Sequence, residues 1–291
     1  MFDKSLNVVH RAAKDIESCQ LFRGSKYIAS DISDCFGEVE KELKEENAVL
    51  FSGTPCQISA IKHYMNFKAV NTEKLYTVDI LCHGTPPKSL WNDYKEWLEK
   101  KNKSKLIDFS FRFKKARWKL YPCMAKFDNG TIKVNTQDVR LFTTLFFTNL
   151  VFRECCYSCR YANMQREGDI TLGDFWGFED VMPNTAKQWN VKANQGVSLV
   201  MINSDKGKRL WDEVLKKDKD VLCEPCLSND YVSYQHNLSS PTEKPNIADR
   251  FKEDYKNFGF EFVIKKYAHF NFIGRIRFTV SRFYHERISK T

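Results

Sequence analysis

Hydrophobic and polar positions along the chain switch between helical and strand spacing. FGEVEKELKEE, from Phe36, predicts a surface helix, and AVLFSG, Ala48 to Gly53, a short apolar strand. A helix is predicted from near Pro55 to about Met65, with proline at the first turn, where its missing N–H removes no helical hydrogen bond. LYTVDILC, Leu75 to Cys82, reads as a second buried strand. HGTPP is a loop, and KSLWNDYKEWLEKK is an amphipathic helix carrying Trp91, Tyr94 and Trp97. Strand, helix, strand and helix in that order imply a parallel sheet.

The pattern then changes. KLIDFSFRF and RWKLYPCMAKF read as strands, and DNG, Asp128 to Gly130, as a hairpin turn into TIKVN. An aromatic-rich helix, DVRLFTTLFFTNL, follows, then a strand, DITLGDF, and a loop through Pro183 and Gly196. GVSLVMIN and the helix DKGKRLWDEVLKK close a further unit. No repeat or low-complexity linker interrupts this. The expected fold is α/β: a mostly parallel sheet flanked by helices, with an antiparallel β insertion. Residues 1–204 form the expected body, and 205–291 a helical C-terminal extension with a basic tail.

Composition supports a sizeable core: of 291 residues, 42% are hydrophobic and 14% aromatic. The net charge of +9 is spread among 37 acids, so no basic stripe for nucleic acid stands out. The excess gathers at the end, where Lys265, Lys266, Arg275, Arg277, Arg282, Arg287 and Lys290 face one acid, Glu286. A solvated terminus is the plain reading of that tail, and peripheral membrane contact the sharper one. Apolar runs fall short of the about 20 residues of a membrane span. The polar start, MFDKSLNVVHRAAKDIESCQ, gives no secretory signal, so a cytoplasmic location is expected. In that compartment ten cysteines point away from disulfides and toward metal or redox chemistry.

Four thiols stand out by position. Cys56 lies in SGTPCQ, just after a strand, Cys82 ends the next strand in LCHG, and Cys156 and Cys159 form CYSC. Loops at the carboxyl ends of adjacent parallel strands converge on one crevice, so Cys56 and Cys82 are expected to be neighbours in space. With Cys156 and Cys159 on a nearby loop, four thiolates can surround one centre. Zinc and a 4Fe-4S cube both accept four thiolates. Two single thiols beside apparent cofactor loops lean toward a cluster. Buried, inert thiols are an equally weighted alternative on spacing alone. Cys155 is expected to point away. Cys223 and Cys226 in CEPC read as an ordinary loop, and Cys19, Cys35 and Cys123 as structural. A hydrolase using Cys56 or Cys82 with His83 as base is a rival, although neighbours on a strand point to opposite faces.

Two loops suit a phosphate-bearing cofactor. SGTP opens a helix, so the backbone N–H groups of Ser52, Gly53 and Thr54 are candidates for phosphate. RGSKY, Arg23 to Tyr27, adds a cation, Lys26, together with a glycine and a hydroxyl. A flavin dinucleotide also needs apolar walls, for which Trp118, Phe175 and Trp176 are candidates against the plain reading of each as core. Asp174 in GDFWG is a candidate for a ribityl hydroxyl, or a turn former. GxGxxG and GxxxxGK[ST] are absent.

RGSKYIAS, LFSGTPCQISAIKHY, VDILCHGTPPKSLWNDY, FRFKKARW, CCYSC, DITLGDFWG and GVSLVMIN occur in the order seen in the beta-subunit family of coenzyme F420 hydrogenase/dehydrogenase. The chain resembles this family, and the related chlorophyllide reductases, from Met1 to about Asn203. The resemblance implies an iron–sulfur flavoprotein oxidoreductase carrying FAD and a 4Fe-4S centre, exchanging electrons with a deazaflavin or another small organic acceptor. Carried over by motif, Cys56, Cys82, Cys156 and Cys159 hold the cluster, and Lys26 and Asp174 lie in motifs that line the flavin site. Cys155 falls where relatives tend to have Ser. Relatives begin with a ferredoxin-like module and a Ser-Gly-Gly strand–helix unit, neither of which precedes Met1 here. A separate ferredoxin-like electron-transfer partner is therefore expected, and a polysaccharide context is one setting in which relatives occur. The alternatives are a truncated relative without activity and a zinc-stapled interaction module.

Overall fold

The computed structural model describes residues 1–113, 122–191 and 195–270. A short helix, α1 (Ile16–Gln20), is capped by Asp15, whose carboxylate accepts from the Ser18 N–H. Helix α2 (Cys35–Lys44) buries Cys35, Val39 and Leu43, which lie four apart and so share one face. Strand β1 (Val49–Gly53) passes through Thr54 into α3 (Pro55–Phe67). There the Thr54 N–H donates to Gln57 Oε1 at 2.9 Å, the reach-back half of a capping box. Strand β2 (Leu75–Ile80) and α4 (Lys88–Asn102) follow.

Three strands then form a separate antiparallel sheet in the order β3 (Leu106–Ser110), β4 (Met124–Phe127), β5 (Ile132–Val134). Gly130, at φ +83°, turns β4 into β5 as the DNG motif requires. The predicted strand over 105–113 stops at Ser110, and in the predicted strand over 117–127 the described residues form a strand at Met124–Phe127, with 122 and 123 outside it. Residues 117–121 of the second lie outside the described residues.

The chain continues through α5 (Gln137–Phe147), α6 (Glu154–Tyr157), β6 (Ile170–Asp174), α7 (Phe178–Val181) and α8 (Pro183–Trp189). It ends in β7 (Ser198–Ile202), α9 (Asp205–Lys217), α10 (Tyr231–Tyr234) and α11 (Ala248–Tyr267), which bends at Gly259. The main sheet runs β1-β2-β6-β7. Strands β1, β2 and β6 are parallel, with Gly53 beside Asp79 and Ile80 beside Leu172, and β7 closes the edge antiparallel to β6. The fold is thus α/β, mostly parallel, with a separate antiparallel sheet, as the sequence predicts.

Among the described residues, three apolar clusters hold these layers. Phe51 and Leu75 of the main sheet pack on Ile58, Ile61 and Met65 of α3. The largest cluster is aromatic: Trp91, Tyr94, Phe111, Phe127, Phe142 and Phe152 are almost wholly buried. The Trp91 ring lies edge-on to Phe109 and Phe142, with centroids 5.2 and 5.4 Å away, and its indole N–H donates to Leu6 O at 2.7 Å. Truncating one such ring to alanine costs about 3–5 kcal/mol. The third cluster joins Phe175, Phe178 and Leu199 beyond β6.

Candidate functional site

Because β1, β2 and β6 are parallel, the loops leaving them open along one edge of the sheet. Cys56 stands in the first turn of α3, exposed, with Sγ 3.1 Å from Thr54 Oγ1. Cys82 follows β2 and is half-buried. Its thiol is pushed up to about 12, first by burial and then by the Cys56, Cys156 and Cys159 thiols, with the Gly84 N–H opposing. Cys155 and Cys156 lie in α6, and Cys159 just beyond it. Burial raises Cys159, and Cys56 and Cys156 add to the shift. Three segments distant in sequence therefore bring four thiols within electrostatic reach of one another.

The loop after β2 is sewn to the thiol-bearing turn. Arg153 N–H donates to Thr85 O at 3.1 Å, and Cys156 Sγ lies 3.9 Å from the same carbonyl. Gly84, at φ +125°, permits this approach, because a Cβ there would stand 2.7 Å from the Phe152 ring. Thr85 Oγ1 is buried without a hydrogen-bond partner. Among the described residues, no group of three or more His, Cys, Asp or Glu side chains is placed to hold a metal ion. Cys155 is exposed, and its thiol is raised by burial and by Cys156. The inert-thiol alternative does not suit Cys56, which is exposed. The nucleophile alternative gains nothing from His83, whose Nε2 bonds Asn149 Oδ1 at 2.8 Å.

The candidate flavin residues divide. Asp174 ends β6 with its side chain 43% exposed and is held by Arg112 Nη1 at 3.3 Å. The same nitrogen donates to the Tyr27 hydroxyl at 3.4 Å. Trp176 is partly exposed, whereas Phe175 is core and forms no wall. Ser52 offers its carbonyl to His10 Nε2 at 2.8 Å, and a Cβ on Gly53 would stand 3.0 Å from Gln57 Oε1. Lys26 Nζ donates to the carbonyls of Leu21, Phe22 and Arg23 at 3.4, 3.2 and 3.0 Å, and burial lowers its pKa. The Lys26 and Thr54 donors are thus spent on the protein. Trp118 and the basic tail from Arg275 onward lie outside the described residues. Sequence reasoning passed over His10, Arg112 and the buried pair Asp79–Arg166. Asp79 carried a signal, as a carboxylate inside an apolar strand.

This is an α/β protein with four thiols gathered at the carboxyl edge of a mainly parallel sheet. The chain belongs to the coenzyme F420 hydrogenase/dehydrogenase beta-subunit family, whose C-terminal model matches residues 46–225. The match contains all four candidate cysteines, Asp174 and Trp176. A chain in the xenon-derivatised F420-reducing [NiFe] hydrogenase complex from Methanosarcina barkeri is similar at 14% identity. That similarity covers 82% of this chain and 72% of that one, at a TM-score of 0.40. Comparison with curated proteins gives no match. No described helix is long and apolar enough to cross a membrane.

Proposed function

We propose that this chain is an iron–sulfur flavoprotein oxidoreductase subunit. In this reading Cys56, Cys82, Cys156 and Cys159 hold a 4Fe-4S cluster, and FAD lies along the adjoining loop edge. The observation that carries it is the convergence of three separate segments at the carboxyl edge of one sheet, with Cys56 opening α3 after β1, Cys82 following β2, and Cys156 reaching the Thr85 carbonyl of the same loop at 3.9 Å. The four-thiol donor set fits the cluster. A tetrahedral zinc at 2.3 Å from each thiolate needs sulfurs roughly 3.8 Å apart. A four-iron cube takes the same four thiolates, and acid-labile sulfide distinguishes the two. The orphaned Thr85 Oγ1 adds a buried donor on the loop that follows Cys82.

For the flavin, the fit is to the ring and ribityl portion. Asp174, fixed by Arg112, presents an exposed carboxylate for hydroxyl groups, and Trp176 offers an apolar face. Thr54 N–H and Lys26 reach phosphate only by exchanging hydrogen bonds they now donate within the protein. When bound, the flavin exchanges electron pairs with an organic substrate, coenzyme F420 or another acceptor, and the cluster moves single electrons. The chain's own part is to orient and exclude water. The His83 ring packs against Phe146 and Phe152 with centroids 5.8 and 5.5 Å away, which holds the loop that carries Cys82 against the aromatic core. A ferredoxin-like electron-transfer protein is the proposed partner.

Anaerobic reconstitution with iron and sulfide tests the reading. The expected product carries iron and acid-labile sulfide in equal amounts, and releases flavin on denaturation once FAD is supplied. Cys159→Ser is expected to abolish the cluster's visible absorption, and Cys155→Ser to leave it. Zinc alone in the purified protein, or equal absorption in both variants, overturns the ligand assignment.

A further inference from the structure

Asp79 stands in β2 with its side chain wholly buried, and Arg166, just ahead of β6, meets it with a side chain only 2% exposed. Arg166 Nη2 lies 3.1 Å from Asp79 Oδ1. The other carboxylate oxygen, Oδ2, accepts from the N–H groups of Glu167 and Gly168 at 3.2 and 3.0 Å. Residue 168 must be glycine for this, because a Cβ there would stand 2.6 Å from Asp79 N. The guanidinium continues outward from the pair. Nη1 donates to the carbonyls of Tyr161 and Asn163 at 3.1 and 3.2 Å, and Nη2 reaches Ile80 O at 3.4 Å.

Those three carbonyls define what the pair holds together. Tyr161 and Asn163 lie in the turn that leaves Cys159, and Ile80 lies two residues before Cys82. One planar fork therefore grips the segment that carries Cys156 and Cys159 and the strand end that delivers Cys82. Buried ion pairs are weak sources of stability, since apolar residues of similar volume often replace them without loss. The many bonds to main-chain carbonyls are what apolar replacements would forfeit.

We infer that Arg166, oriented by Asp79, is a positioning residue that fixes the spacing of Cys82 from Cys156 and Cys159 for the cluster. The inference rests on the cluster reading above. The informative variant is the double replacement Asp79→Leu with Arg166→Met, which removes the fork without leaving a buried charge unpaired. It is expected to fold but to melt below the wild-type temperature, because the Glu167 and Gly168 N–H groups and the three carbonyls lose their partners. Amide hydrogen exchange of residues 156–165 in the metal-free protein is expected to speed up, while that of β1 and α3 stays unchanged. After reconstitution, a chelator is expected to strip iron about 10-fold faster or more, the scale on which outer-shell partners act on metal sites. Unchanged exchange in residues 156–165, or unchanged iron retention by a variant that loads, overturns the inference. If the double variant does not fold, Arg166→Lys keeps the charge opposite Asp79 but loses the fork, and the same two readouts apply. Wild-type protein that takes up no iron and sulfide sinks the cluster reading, while hydrogen exchange still decides whether the guanidinium fixes the turn.

Discussion

Gly84 shows how much of this site depends on single residues. It sits between His83 and Thr85 at φ +125°, a backbone conformation that side chains rarely adopt, and its α-carbon faces the Phe152 ring. Any Cβ strains the backbone and pushes on a ring in the aromatic core, so both penalties act at once. Gly84→Ala is expected to lower stability by about 1–3 kcal/mol, read as a shift in the urea midpoint. The same loop carries Cys82 and receives the Arg153 N–H, so the variant should also load less iron per folded protein. A variant that loads iron like the wild type would show that the approach to Phe152 serves packing alone.

At the scale of elements, the start of α3 combines local rules with the candidate chemistry. Pro55 occupies the first turn, Gln57 closes back on the Thr54 N–H, and Gln57 Nε2 donates to Ser30 O at 3.0 Å. The side chain thus joins the RGSKYIAS segment to the helix that presents Cys56. Gln57→Ala is expected to cost about 1–2 kcal/mol through the lost cap and the freed Ser30 carbonyl, measurable by thermal or urea unfolding. Helices such as this one were legible in the sequence because their signals are local. Proline position, the spacing of Ile58, Ile61 and Met65, and the amphipathic stripe of α4 all lie within a few residues. The parallel order of β1 and β2 was legible for the same reason, through the intervening helix. Pairings set by distant sequence were not. Nothing local in DITLGDF announces that β6 lies beside β2, or that Arg166 and Asp79, far apart in sequence, meet in the interior. Lys26 illustrates the other gap: its motif marks a cation, but only the folded chain shows that the ammonium turns back onto its own carbonyls. The long α11, bent at Gly259, shows in the sequence only as part of a helical extension.

Across the whole molecule, a few buried ionisable groups tie separate layers together, and they give the fold a defined response to acid. Asp169 accepts from the Thr77 N–H and hydroxyl, both at 2.8 Å, and from the Ser204 hydroxyl at 2.7 Å, joining β2, β6 and the start of α9. Burial raises its pKa, but these bonds and Lys206 outweigh it, so the net position is below the ordinary 3.8. His10 links the N-terminal segment to β1, through Ser30 Oγ and Ser52 O, each at 2.8 Å. The Ser52 carbonyl can only accept, so Nε2 carries the proton and Nδ1 accepts from the Ser30 hydroxyl in the neutral ring. Burial holds His10 below its ordinary 6.5, with the Ser52 bond pulling the other way. Both shifts have the same sign for stability, since in each case the unfolded chain binds its proton at higher pH. The His10 contribution is complete above pH 6.5 and is lost as pH falls from there toward its folded value. The Asp169 contribution is complete above pH 3.8 and is lost as pH falls through its lower folded value. Urea midpoints taken from pH 8 to pH 3 should therefore fall in a near-neutral stage, to which His10 and the Met1 amine, lowered by burial to about 6, both contribute, and in an acidic stage that includes Asp169. The His10 part of the first stage has a slope of at most about 1.4 kcal/mol per pH unit, the limit for one proton. His10→Gln is expected to make the profile shallower just below pH 6.5 and leave the acidic stage in place. A wild-type profile that stays level or rises as pH drops below 6.5, or one that His10→Gln leaves unchanged there, would show that the ring does not titrate against the fold. The N-terminal segment would then be held to β1 by packing of His10 on Phe51, whose rings stack at 5.3 Å, rather than by its neutral hydrogen-bonded form.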